Sequence, residues 1–346
     1  MQNQVTERID LLDEKGHLTQ PGYALFEAWN YERCDIKAPA LRIKEWDYYY
    51  VGNEHFGVAL TIADNSYMGL ISASLLDFDD NFQETKSKIV PLTLGKFYLP
   101  PSADVGETSY QGGKVEMCFR VSENERHLRC HYQNFCGDQP LILDIKLTDF
   151  PQDRMCIATP FKNKPKYFYY NQKINCMHAE GYVQVGSRSY ELGSSPLDMG
   201  LLDWGRGVWT YKNTWYWSSL NTVLSDGRKF GFNLGYGFGD TTAATENMLF
   251  VDGVADKLEE VTFAIPQKED GTYDYLAPWK VTSSDGRVDL TFTPILNRAA
   301  NMKVLMLASD QNQVFGKFSG TVRLSSGESI TPENAVGFAE RVFNKW

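Results

Sequence analysis

QGGKVEMCFRV at residues 111–121 and SDGRVDLTFTP at residues 284–294 carry the reading of this chain. In each, apolar side chains (Val115, Met117, Phe119; Val288, Leu290, Phe292) occupy every second position after a glycine-containing turn. That period is the mark of a half-buried β-strand. The two stretches also match each other, Val115 with Val288, Glu116 with Asp289 and Phe119 with Phe292, at an offset of 173. FGVALTIADN, starting at Phe56, repeats as FGFNLGYGFGD, starting at Phe230, at an offset of 174. Two matches at nearly one spacing predict a tandem duplication, each half a β-barrel-like unit of about 170 residues.

The same alternation recurs in LRCHYQNF, LILDIKL, EGYVQVG, KVLMLAS and GTVRLSS, each bounded by turn residues. Helical periodicity is scarce; a turn or two of helix is expected only in PGYALFEAWNY (21–31), around TENMLFVDG (245–253) and in PENAVGFAERVFNKW (332–346). The expected class is all-β, two antiparallel barrels or sandwiches with a few short helices. Gly193, Ser194, Ser195, Pro196 and Gly200 mark a loop, which predicts domains at 1–192 and 193–346.

Composition narrows the partners. The net charge of -10 and a pI near 5.1 argue against nucleic acid or an anionic membrane, both of which need a clustered positive field. The first residues, MQNQVTERIDLLDEKGHL, lack an apolar signal core, and no segment approaches the ~20 apolar residues of a membrane span; a soluble, cytoplasmic protein is expected. Cys34, Cys118, Cys130, Cys136, Cys156 and Cys176 form no CxxC pair, so reduced thiols buried in strands are expected. Cys130, His131 and Cys136 match no zinc spacing, and no metal site is expected.

Chemistry-bearing residues concentrate in LDWGRGVWTYKNTWYW (202–217), which holds four of the chain's eight tryptophans. This stretch and AEGYVQVGSRSYEL, GDTTAATENMLFVDG, PWKVTSSDGRVDLTFTP, QVFGKFSGTV and GFAERVFNKW together resemble the bacterial family known as domain of unknown function 2804. GHLTQPGYA and RIKEWDYYYV extend the resemblance over almost the whole chain. The resemblance implies paired lipocalin-like barrels, similar to those of carotenoid 1,2-hydratases, tocopherol cyclases and lipocalin-like pericyclic cyclases. It further implies handling of bulky apolar molecules by acid catalysis or by shaping them in an aromatic pocket. Thr210 departs from the family pattern, standing where a proline is common.

Asp203 and Arg206 are spaced to pair in a glycine-containing turn, with Gly205 and Gly207 supplying backbone freedom. Such a pair either closes the end of a barrel or sits in a pocket walled by Trp204, Trp209, Trp215 and Trp217, with Tyr211 close by. In an apolar wall Asp203 becomes a proton donor, since burial raises a carboxyl by as much as ~3–5 units. A close arginine acts in the opposite direction, by ~1–3 units, and a second acid is then needed. Asp240 and Glu246 in GDTTAATENMLF supply it, with Asn247 to orient; the alternative for both is loop hydrogen bonding. Trp279, Gln313 and Glu340 are weaker candidates, read equally well as a core tryptophan, a turn glutamine and a helix-face glutamate.

The expectation is therefore a cofactor-independent hydratase, dehydratase or cyclase acting on an apolar small molecule, with Asp203, Glu246 or Asp240 as acid. Trp204, Arg206, Trp209, Tyr211, Trp215, Trp217, Asn247 and Trp279 would line its pocket near the seam between the halves. Two alternatives stand beside it: a non-catalytic binder of a lipid-like ligand, and a carbohydrate hydrolase using paired carboxylates. The sequence leaves oligomeric state open.

Overall fold

In a computed structural model, which describes residues 2–304 and 307–345, two large antiparallel sheets each curl into a half-barrel, the tandem lipocalin-like arrangement. Leu305 and Met306 of the KVLMLAS segment, together with Met1 and Trp346, lie outside the described residues. The first sheet runs Phe82–Pro91, Met68–Asp77, Phe56–Asp64, Ile43–Gly52, Met199–Val208, Lys164–Val185, Gln139–Thr148, Arg126–Cys136, Val115–Val121, Gly106–Gly112. The second runs Val254–Lys257, Met248–Val251, Lys229–Tyr236, Lys212–Val223, Ala335–Lys345, Leu307–Arg323, Val288–Val304, Trp279–Ser283, Val261–Ala264.

Each half-barrel has its own interior core, one built on residues such as Tyr49, Phe119, Leu143 and Trp204, the other on Phe232, Trp279, Leu290 and Phe318. The outer faces of the two sheets then pack on each other through Tyr48, Tyr50, Leu201, Trp217, Phe315 and Phe338. Strands at this junction are buried on both faces, so Met199–Val208 contains no exposed residue. A strand covered on both sides loses the apolar-polar alternation that identifies a half-exposed one.

Four sequence expectations change. The chain does not leave the first sheet at 193: residues 193–198 form a turn in which Asp198 accepts from the Gly193 and Ser195 amides, and the next strand returns between Ile43–Gly52 and Lys164–Val185. The change of sheet falls at 209–211. The segments expected to be helical form the strands Gly22–Ala24, Trp29–Asn30, Met248–Val251 and Ala335–Lys345; the helices among the described residues are two 3-10 turns, Arg33–Asp35 and Ala40–Arg42. Phe56–Asp64 and Lys229–Tyr236 hold equivalent places in the two sheets, as the 174-residue repeat predicts. Val115–Val121 and Val288–Val304 do not, because one lies next to an edge strand and the other third from its edge; that match reflects a shared strand pattern. All six cysteines are free, but only Cys130, Cys156 and Cys176 are buried.

Candidate functional site

Strand alternation sorts the 202–217 stretch. On Met199–Val208, Asp203 and Gly205 face the junction, whereas Trp204 and Arg206 face the interior of the first half-barrel. Asp203 and Arg206 therefore point to opposite sides and form no pair. Arg206 instead donates to Asp47 at 3.0 Å and lies 4.0 Å from the centre of the Trp204 ring. The partner of Asp203 is Lys173, 2.7 Å away, directly across from it on Lys164–Val185. Asn171 adds a second donor to Asp203 at 2.7 Å. Gly205 makes no turn. A Cβ there would lie 1.9 Å from Cζ2 of Trp46, so this glycine lets the Trp46 indole lie flat against the strand.

At the junction lies a cavity of ≈ 190 Å³. Two cross-strand rows face each other across it. One, on the first sheet, is Lys173, Asp203, Tyr48, Thr61. The other, on the second, is Arg298, Gln313, Glu340, Trp217, Gly235. The Tyr48 hydroxyl donates to Gln313 Oε1 at 3.3 Å and ties the rows together. Gly235 ends its row without a side chain, and the Glu246 carboxyl fills that place: a Cβ on Gly235 would meet Glu246 Oε1 at 2.5 Å. An aromatic wall completes the cavity, built from Trp46, Tyr169, Trp209, Trp215 and Phe238. Its rings meet at centroid distances between 4.6 and 6.3 Å, mostly edge to face.

The three cavity acids differ in their surroundings. Asp203 is committed to Lys173 and Asn171. Glu246 is buried; burial pushes its carboxyl up, while Lys173 and a hydrogen bond from Asn233 (3.3 Å) pull it down. Glu340 accepts from Trp215 Nε1 at 3.1 Å and from Gln313 Nε2 at 3.0 Å. Those donors favour its charged form, yet burial outweighs them and pushes it up to about 7. Lys173 Nζ sits 3.9 Å from the centre of the Trp217 ring, so an aromatic face of this cavity already holds a cation. Burial also pushes the Tyr48 and Tyr169 phenols up, keeping both as hydroxyl donors.

Of the residues singled out from the sequence, Asp203, Glu246, Trp209, Trp215 and Trp217 line the cavity. Trp204, Arg206 and Trp279 do not; the last is in the core of the second half-barrel, donating to the Tyr275 carbonyl. Asn247 accepts from the Gly235 amide and donates to the Glu259 carbonyl, a structural clamp. Asp240 accepts from the amide and hydroxyl of Thr242 in a tight turn that lowers its pKa, and it lies outside the lining. Tyr211 is at the surface, near Arg42 and Lys345. The cavity further includes Trp46, Tyr48, Tyr169, Lys173 and Arg298, which the sequence reading did not single out, and Gln313 and Glu340, which it ranked low. Lys173 had a usable signal: Asn171, Gln172, Lys173 and Asn175 form a polar run inside the otherwise apolar YFYYNQKINCM. Among the described residues, no group of three or more His, Cys, Asp or Glu side chains could hold a metal ion.

Fold and cavity define a class: paired lipocalin-like half-barrels with an acid-bearing aromatic cavity where their outer faces meet. The chain belongs to the family of domain of unknown function 2804, whose model matches residues 2–346. No curated protein matches it. Among solved structures it is similar to an AttH candidate from Nitrosomonas europaea, at 12% identity and a TM-score of 0.56, covering 92% of this chain and 98% of that one. A kievitone hydratase from Nectria haematococca aligns over 98% of both chains at 11% identity and a TM-score of 0.46.

Proposed function

We propose that this protein is an enzyme that moves a proton onto or off an apolar small molecule in the junction cavity, in a reaction of the hydratase, dehydratase or cyclase kind. The observation that carries the reading is Glu340, a carboxyl buried in the cavity wall and held by two side-chain donors, whose proton affinity lies near neutral pH. General acid–base catalysis works best when the group's pKa is close to the working pH. Glu340 gives its proton to the ligand, and the face of Trp215 or Trp46 stabilises the positive charge that develops, worth ~0.5–2 kcal/mol per contact. In a hydration, water then adds to the cationic carbon and its proton returns to Glu340. Glu246, the second desolvated acid, takes the complementary proton when acid and base lie on opposite sides of the ligand. Asp203 anchors Lys173 and takes no part in proton transfer. This reading shifts the acid from Asp203 to Glu340.

The test begins with small molecules extracted from the host's cells, incubated with wild-type protein, Glu340→Gln, Glu246→Gln and Asp203→Asn, and followed by mass spectrometry. The expected result is a compound that gains or loses the mass of one water, or changes isomer, with wild type, and is left unconverted by Glu340→Gln. A compound that binds wild type and all variants and is never altered ends the enzyme reading and leaves a ligand carrier.

A further inference from the structure

Arg298 stands at the end of the second cavity row, and its guanidinium is sparsely engaged for a half-buried arginine. It donates one hydrogen bond, to Ser74 Oγ at 2.9 Å, and lies 5.9 Å from the centre of the Tyr48 ring. Among the described residues no carboxylate lies within ion-pair distance of it. Other half-buried arginines are paired: Arg287 with Asp256 at 2.7 Å and Arg341 with Asp310 at 3.3 Å. Arginine carries five donors in a planar fork that matches a carboxylate in a bidentate fashion. Four of the five here have no acceptor among the described residues.

The lining around Arg298 differs from the aromatic wall. Thr61, Asn65, Gln311 and Asn344 supply neutral polar groups on the same cavity. Charge does not forbid an anion here. Lys173 neutralises Asp203, and burial displaces Glu246 and Glu340 toward their protonated forms.

We propose that the cavity takes an amphipathic anion, its carboxylate or similar charged oxygen group on Arg298 and its apolar body against the tryptophan wall. The inference rests on the reading of the cavity as the ligand site and adds the class of ligand. Arg298, Gln313 and Glu340 stand on adjacent strands, so the backbones of Arg298 and Glu340 are two strand spacings apart, about 10 Å. The Arg298 guanidinium already favours the charged form of Glu340 across this gap, so a ligand carboxylate seated on Arg298 offsets that pull and favours the protonated acid.

The probes are 2-naphthoate and its neutral isostere 2-naphthamide, titrated against the full chain while following quenching of tryptophan fluorescence. Naphthoate is expected to bind at least tenfold more tightly than naphthamide. Arg298→Gln should remove that preference and leave naphthamide affinity within twofold of wild type. Equal binding of the two probes by wild type, or a preference that survives Arg298→Gln, overturns the anion assignment and leaves the cavity reading standing. Binding of neither probe overturns both. The wild-type comparison decides the proposal even if Arg298→Gln fails to fold.

Discussion

A carboxyl that exchanges its proton near neutral pH leaves a trace in stability. The Glu340 pKa rises from an ordinary 4.5 to about 7 in the fold, so ionising it opposes folding. Its contribution is fully favourable below pH 4.5, falls as pH rises through about 7, and is then lost. Glu340→Gln should therefore flatten the decline in Tm between pH 5 and pH 8, and lower turnover of an identified substrate by about 100-fold or more. Thermal melts across that pH range check the first, steady-state kinetics the second. Gly205→Ala tests the wall on the other side of the cavity. Its methyl collides with Trp46, and the overpacking should cost about 1–3 kcal/mol, seen as a lower Tm and a shifted tryptophan emission. At this scale the sequence was partly legible. Asp203, Glu246 and three tryptophans could be picked out because acids and indoles cluster in two short segments. Glu340 was masked because GFAERVF reads as readily as a helix face, and Gln313 because QNQVFG reads as readily as a turn. Lys173 and Arg298 lie far from those segments in the chain and reach the site only through strand pairing.

Strand pairing brings its own tests. Lys164–Val185 carries Lys173 toward the junction, and Lys173→Met would leave Asp203 buried without its cation. A loss of about 3–5 kcal/mol is expected, with part regained in the Lys173→Met, Asp203→Leu double variant; urea unfolding of the set measures it. Two residues on, Asn175 Nδ2 donates to Ser219 Oγ at 2.8 Å and Asn221 Oδ1 at 3.0 Å, pinning the first sheet's longest strand to the second sheet. Asn175→Ala should cost about 1–3 kcal/mol in the same assay. Elements were legible where one face meets solvent and alternation survives, as in Val115–Val121. Met199–Val208 was illegible for the opposite reason: both faces are covered, and its glycines, which make room for Trp46 and Trp209, imitate a turn. Ala335–Lys345 was mistaken for a helix because it is buried between two neighbouring strands and carries few exposed polar positions.

On the scale of the molecule, the two half-barrels share an apolar junction containing Tyr48, Tyr50, Leu76, Trp217, Phe315 and Phe338. Residues 1–210 and 211–346 produced separately should each aggregate, since each exposes its side of that junction, and co-expression should restore a soluble complex; gel filtration distinguishes the outcomes. The two-part β architecture was legible in the sequence and its seam was not, because the returning strand follows a loop that looks like a linker. The strand bearing Glu340 comes after every other described strand and yet inserts into the middle of its sheet, between Lys212–Val223 and Leu307–Arg323. During translation, then, every residue of the aromatic wall emerges from the ribosome before Glu340, the proposed proton donor, does. A nascent polypeptide stalled short of Ala335 has an unfilled slot in its sheet and lacks Glu340, so under the proposed function it is chemically silent until that stave arrives.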